Sequence, residues 1–475
     1  MTDRTPTESD ANAGTMKPPT TEHDVAGDRA KARSRTWTAI ASTAFMSGLA
    51  YTVVNDGVSA WLAARQVTPI VIGFFALCSL PYGLKWIWAP LLDRFHAPLI
   101  GRGRRRVGWL ILLGSLSAAL LVAAGAAGPH EPIAAAEVAV AADAGWLERQ
   151  SLALDELLRG GLWGFALIVF ALSLASASLD VVVDAFRTDS VSRAELGRAA
   201  SVFVAGFRIA SLVGGAGALF VAARLGWQAA FILAAVIMMI ATITVAFAPE
   251  PSDGEPTSFL DAVLGPVRTF ARQWGITALA LAAFVLMFRL PDLVGNRMVG
   301  PFLIQELGFT LDEVAGIRQF LGFGFTIAGA ALGGVVIARL GIARSMLIFG
   351  VLQAASNLGW VWLDHAGKDR AVLLAAVAIE NACNGMVGTV FVAFLMSLCD
   401  HRYSAAQYAI LTGLMFLAAS LVGTLSGSLL AECQRLTGIL GGYSGFFIAT
   451  IAMGVPGIAM VPWITRKAAA RPVAA

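Results

Sequence analysis

Residues 85–109 read KWIWAPLLDRFHAPLIGRGRRRVGW. Two tryptophans and a leucine pair run into Asp93 and Arg94. Arg102, Arg104, Arg105 and Arg106 follow within a dozen residues, and an apolar run resumes at Val107. Such a chain leaves hydrocarbon for a short basic turn and re-enters at once. The composition agrees: the 475 residues are 57% hydrophobic and only 14% charged, whereas soluble domains carry about 25% charged residues. Much of the surface must face lipid. The net charge of +3 is too small for a nucleic-acid partner.

A helix needs about 20 apolar residues to cross the ~30 Å hydrocarbon layer. By that measure the chain holds twelve spans, near 36–64, 69–92, 107–128, 161–187, 199–223, 228–249, 274–300, 313–338, 345–363, 371–399, 404–432 and 441–464. The expected fold class is all-α, a polytopic membrane protein of twelve transmembrane helices. Lys and Arg in short loops set the orientation. With the N-terminus inside, inner loops hold twelve of them and outer loops seven. Both termini are then cytoplasmic. Residues 1–35 lack the apolar core of a secretory signal and read as a disordered cytoplasmic tail, with 466–475 as a second tail.

The outer loop 129–160 is acidic, and Leu147, Leu154 and Leu158 recur at helical spacing after Trp146. It is either an interfacial helix or a solvated connector. Residues 250–273 begin as a Pro/Gly/acid linker and continue with Leu260, Val263, Leu264 and Val267 on one helical face. This segment joins a six-span bundle over 36–249 to another over 274–465. Span 2, GFFALCSLPYGLKWIWAPLLDRF, is echoed by GFGFTIAGAALGGVVIARLGIARS in span 8, and both end in arginines. Parallel halves are a signature of the major facilitator fold. Small-xxx-small pairs Ser79/Gly83, Ser211/Gly215, Gly329/Gly333 and Gly423/Gly427 fall in spans 2, 5, 8 and 11, which line the seam between halves in that fold.

The opening stretch resembles the loop 2–3 signature of major facilitators. Asp93 can accept hydrogen bonds from amides at a helix N-terminus, where the dipole favours negative charge. Residues Ser404 to Gln407, opening span 11, have capping-box spacing. On this reading Asp93, Arg94, Arg104, Arg105, Arg106 and Gln407 form a conformational gate on the inner side. The plainer reading is a positive-inside anchor.

Five stretches narrow the resemblance: KWIWAPLLDRF with GRGRRRVGW, SASLDVVVDAFRTD at 176–189, GWQAAF followed by APEPSD, LIFGVLQAASNLGW at 347–360, and ENACNGMVGTVFVAFLMSLCDHRYSAAQYA at 380–409. Together they resemble the AmpG muropeptide permeases of Gram-negative inner membranes, in that family's order from residue 45 on. The resemblance implies proton-driven import of N-acetylglucosaminyl-anhydro-N-acetylmuramyl peptides for cell-wall recycling and, through it, β-lactamase induction. It implies no cofactor beyond the coupling proton and no metal. The expected partners are a sugar-peptide and the bilayer, with the monomer as functional unit. Two departures stand out. Leu179 replaces the family's Gln before the span 4 aspartate, and some members carry two further spans.

A charged side chain at mid-bilayer costs at least ~2.5–3.5 kcal/mol on insertion scales. Asp56, Lys85, Asp180, Asp184, Arg208, Arg289, Asp292, Arg318 and Glu380 are therefore functional candidates. Asp180 and Asp184 share a helical face and are the first choice for the coupling proton, with Glu380, near the midplane, as competitor. Lys85, Arg208, Arg289 and Asp292 suit an anionic substrate, and Gln353, Asn357 and Asn381 its amides and hydroxyls. Plainer readings stand beside these. Arg289 with Asp292, and Asp184 with Arg187, can neutralise one another, and Gln353 and Asn357 can be interhelical glue. The four cysteines lack CxxC spacing and the five histidines are scattered, so no enzyme is expected. The alternatives are a transporter of another bulky anion, such as a siderophore, and a membrane-embedded transferase, for which the loops leave little room.

Overall fold

The computed structural model describes residues 22–98, 104–129, 146–192, 195–251, 259–398, 404–436, 438 and 441–469, and these hold helices and no strand. Ten helices are long and apolar enough to cross a bilayer. An eleventh span forms from Ile410–Gly423 and Ser426–Cys433, bent by 42° at their junction. One of the ten, Leu311–Ala366, has 56 residues, which is ~84 Å of helix and far more than a bilayer can hold. It is two spans: Gly341 leaves the helical region at φ 76°, ψ 166°, a conformation glycine adopts without a Cβ penalty. The described residues thus form twelve spans in chain order: Arg33–Ala64, Pro69–Ile87, Arg105–Ala127, Leu162–Asp189, Ser201–Leu225, Trp227–Ala246, Thr277–Glu306, 311–340, 342–366, Arg370–Leu398, 410–433 and Gly442–Ala468.

Span 1 belongs to a helix that starts at Glu22. Residues 22–35, expected to be a disordered tail, are therefore helical. Their Ala, Lys and Arg are good helix formers and carry the helix beyond its apolar zone. The rest of that tail, 1–21, lies outside the described residues, as do 130–145 of the long loop.

Within that loop Trp146–Arg159 is helical and is more than a solvated connector. Leu157 is buried. Glu156 accepts from the Thr68 amide at 3.1 Å and the Thr68 hydroxyl at 2.6 Å, satisfying polar groups where span 2 begins. Gln150 Nε2 donates to Ser428 Oγ on span 11. At the opposite end of the bundle the linker helix Phe259–Trp274 touches the end of span 2 and spans 7 and 11. These ends are termed the loop face and the linker face.

Spans 1–6 form one half, with span 3 packed on 4 and 6 and span 1 on 5; spans 7–12 form the other, with 8 on 10 and 7 on 12. Spans 2 and 11 meet backbone to backbone across the seam. A Cβ on Gly83 would lie 2.7 Å from the Leu417 nitrogen, and one on Gly427 would collide with the Pro69 oxygen. Gly215 of span 5 faces Gln319 of span 8. The Gly329/Gly333 pair, expected at the seam, lies inside its own half, against Ala382 and Met386 of span 10.

At the loop face the halves are tied. Gln305 Nε2 donates to the carbonyls of Ala63 at 3.0 Å and Val67 at 2.9 Å, and Arg224 pairs with Asp312 at 2.7 Å. One apolar core runs through both halves there, whereas a second core, around Phe284, Phe391 and Phe394, belongs to spans 7–12 alone. The halves are closed at the loop face.

Candidate functional site

Four spans carry π-helical turns: Val53–Gly57 in span 1, Val213–Gly217 in span 5, Phe302–Glu306 in span 7 and Val314–Leu321 in span 8. Such turns are rare and frequent at functional sites. Three of them, in spans 1, 7 and 8, line a cavity of about 350 Å³ between the halves. The turn in span 1 supplies Asn55 and Asp56, and the turn in span 8 supplies Arg318 and Gln319. Span 7 adds Asn296 and Arg297, and span 10 adds Glu380, Asn381 and Asn384. Asp56, Arg318 and Glu380 all lie ~10–15 Å along their helices from the loop face.

The cavity therefore holds two cations, two carboxylates and five side-chain amides. Among the described residues, no ion pair within 4.0 Å joins its four charges. Arg297 donates to Asn55 Oδ1 at 3.2 Å and Ser79 Oγ at 3.5 Å. Arg318 is the cation that acts most strongly on both Asp56 and Glu380. Thr326 donates to Asn381 Oδ1 at 3.0 Å, which turns the Asn381 amide. Tyr51 forms an aromatic wall with Tyr82 and Phe207 of its own half and Phe416 of the other, at centroid distances of 5.1, 6.0 and 6.0 Å. Charged groups and amides from both halves can thus grip one polar solute, and the aromatic faces can pack against a ring.

Of the residues singled out from sequence for binding or coupling, Glu380 and Asn381 line this cavity. Asp180 lies towards the linker face, where Lys85 Nζ is 3.3 Å from its Oδ2 and Ser47 donates to its Oδ1. Asp184 pairs with Arg187 at 3.1 Å, and Arg187 stacks 4.4 Å over Phe203. Arg208 is half-buried on span 5, away from the cavity lining. Arg289 and Asp292 pair at 3.0 Å beside buried Gln353, around a void of about 10 Å³. Asn357 donates to Thr450 at 3.1 Å. The contacts of these four residues lie within the second half.

The arginine turn grips its own half. Arg104 donates to the carbonyls of Ala246 at 2.8 Å and Ala248 at 2.5 Å. Arg106 pairs with Asp189 at 3.0 Å, while Glu250 accepts from the amides of Arg106 at 2.5 Å and Val107 at 3.0 Å. The start of span 3 is thereby clamped to the ends of spans 4 and 6. Arg105 is half-buried beside them, Arg94 is exposed, and Gln407 is buried. The expected contact of Asp93 with the start of span 11 involves side chains outside the described residues. No group of three or more His, Cys, Asp or Glu able to hold a metal occurs among the described residues.

The sequence model of the Major Facilitator Superfamily matches residues 40–427. The anhydromuropeptide permease of Escherichia coli K12 is 34% identical over 420 residues, covering 88% of this chain and 77% of that protein. The chain belongs to the AmpG-type muropeptide permeases of the Major Facilitator Superfamily. The transporter AmpG 4 of Rickettsia conorii is 30% identical over 89% of this chain and 94% of its own length. The crystal structure of a D-xylose–proton symporter superposes with a TM-score of 0.67 over 90% of this chain and 97% of that one. At 13% identity this likeness shows the fold alone.

As an AmpG-type permease the chain is a multi-pass membrane transport protein, and its cavity residues were only partly visible beforehand. Asp56 and Arg318 stand out as intramembrane charges but carry no sequence signal for a shared cavity. The apolar run of span 7 ends near residue 300, which puts Arg297 near the rim. The helix runs on to Glu306, and Arg297 lies ~14 Å inside it. The signals that could have found the site are the pairs Asn55-Asp56 and Asn296-Arg297, each interrupting an apolar run.

Proposed function

We propose that this chain is a proton-coupled importer of anhydro-muropeptides, carried across the inner membrane by alternating access. One observation carries the reading. A cavity with two cations, two carboxylates and five amides lies between the halves of a chain 34% identical to a permease for such solutes. Asn55, Asn296, Gln319, Asn381 and Asn384 suit the hydroxyls and N-acetyl groups of the sugars. The guanidinium groups suit the carboxylates of the peptide. The cavity is at the small end of ligand sites, roughly 300–1,000 Å³, so the whole ligand requires the halves to part further.

The basic turns support a cytoplasmic linker face, and with closure at the loop face the state is read as inward-facing. Opening outward breaks the Gln305 and Arg224 ties, while Asp93 closes on the start of span 11. Asp180 carries the proton, with Asp184 beside it and Glu380 as the competing acid. Lys85 supplies the counter-charge that Asp180 requires once the proton has left. The test is uptake of labelled anhydro-muropeptide into proteoliposomes with the membrane potential clamped. One coupled proton and one pH unit support about tenfold accumulation, or ~1.4 kcal/mol. Absence of uptake refutes the substrate, and uptake indifferent to the gradient refutes the coupling.

A further inference from the structure

The cations embedded in this protein fall into two groups. Lys85, Arg187 and Arg289 each have a carboxylate within 3.3 Å. Arg208, Arg318 and Arg297 have none within 4.0 Å among the described residues, and Arg297 is half-buried at the wall of the cavity. Its guanidinium rests on neutral oxygens, Asn55 Oδ1 at 3.2 Å and Ser79 Oγ at 3.5 Å. A charge withdrawn from water without a counter-charge in contact is costly, and two neutral acceptors with the more distant Asp56 offset only part of that cost.

The neutral acceptors are themselves prearranged. Ser79 donates to Asn55 Oδ1 at 2.9 Å, and Asn55 Nδ2 donates to the Tyr51 carbonyl at 2.9 Å. The Asn55 carbonyl oxygen is thus turned towards Arg297. Asn55 and Ser79 belong to spans 1 and 2, and Arg297 to span 7, so the contact crosses the seam. Arg318 also has no carboxylate within 4.0 Å among the described residues, but it is the leading cation on both cavity acids, whereas Arg297 acts on Asp56 alone of the two and more weakly.

We propose that Arg297 is the specificity residue that reads a carboxylate of the solute, and that Asn55 and Ser79 stand in for that carboxylate when the cavity is empty. The proposal rests on the importer reading above and adds the group that is read and the residue that reads it. A bound carboxylate replaces a neutral acceptor with a charged, bidentate one. Replacement also frees the first half from span 7, so anion binding and the seam contact exclude each other.

The experiment compares a labelled anhydro-muropeptide bearing free carboxylates with the same molecule amidated at every carboxylate. Both are bound to the purified full chain and to R297Q, R297K and N55D. The parent should prefer the free acid by roughly ten- to a hundredfold. R297Q should bind both forms equally, at the level the parent shows for the amide, and R297K should keep an intermediate preference. Asn55→Asp places an internal carboxylate against Arg297 and should abolish the preference while retaining the arginine. An R297Q protein that still prefers the free acid as the parent does overturns the proposal.

A second readout needs no solute. A cysteine at Ser59, on the cavity wall, is labelled from the loop face by an impermeant thiol reagent. N55D, with a seam ion pair in place of a neutral contact, should slow labelling about tenfold. Should the parent bind neither muropeptide, the importer reading fails by itself. Slowed labelling in N55D then upholds the pairing of Arg297 with a carboxylate, and unchanged labelling removes it.

Discussion

Arg289 and Asp292 lie 3.0 Å apart on one helix, with side chains only 14% and 5% exposed. Five residues further along the same span, Arg297 faces the cavity without a carboxylate within 4.0 Å among the described residues. The two arginines sit in the same span and look equally anomalous in an apolar run, yet they do different work. A pair that cancels its own charge inside one bundle has nothing left to offer a ligand. A charge whose contacts are neutral oxygens keeps more of its field for whatever enters. Lys85 with Asp180 stands between these cases: it is paired but only partly buried.

The largest effect expected from this contrast is on folding. Arg289→Ala leaves Asp292 buried without its partner, which costs about 3–5 kcal/mol. Thermal unfolding in detergent should show a clear loss of stability, whereas Arg318→Ala, at the cavity wall, should leave unfolding nearly unchanged and weaken binding. Equal stability of the two variants would erase the distinction between closed pairs and open charges.

Next in size is the coupling step. Asp180→Asn should still exchange solute across a membrane without a gradient. It should lose the roughly tenfold accumulation that one pH unit supports. Normal accumulation in Asp180→Asn together with failure in Glu380→Gln would move the proton to the cavity and leave the Lys85–Asp180 pair structural.

The architecture was legible because the bilayer imposes a length. Each span must be close to 20 apolar residues, and the arginines at 339 and 344 marked the turn at Gly341 inside an otherwise unbroken apolar stretch. The loop helix was legible in its spacing, but its contacts were not, because Glu156 reads as one acid among several until the start of span 2 is seen beside it. The cavity was hidden for a physical reason. An ordinary helix advances about 100° per residue, and a π turn adds a residue and rotates everything beyond it. Asp56 and Arg318 sit inside such turns, so regular helical spacing could not assign them a common face. Arg289, Asp292, Gln353 and Asn357 drew attention as polar groups in apolar runs. Their partners, from one another to Thr450, belong to a single half, and sequence spacing does not say which half a side chain faces.

The smallest effect expected is at the loop face, where Arg224 and Asp312 meet across the seam at 2.7 Å with side chains 61% and 45% exposed. An exposed pair contributes about 0–1 kcal/mol, so Arg224→Ala should shift the balance between closed and open loop face by no more than about fivefold. The partly buried bonds from Gln305 to the Ala63 and Val67 carbonyls, at 3.0 and 2.9 Å, should hold most of the closure. Labelling of a cysteine at Ser59 by an impermeant reagent measures both. Arg224→Ala should label slightly faster than its parent at low ionic strength. The difference should vanish near 1 M salt, where the screening length falls to ~3 Å. Gln305→Ala should label faster at any ionic strength. If the Arg224 effect exceeds that of Gln305 or survives high salt, the loop face is held by charge rather than by bonds to span 1, and the contrast between open and closed charges extends to the gate itself.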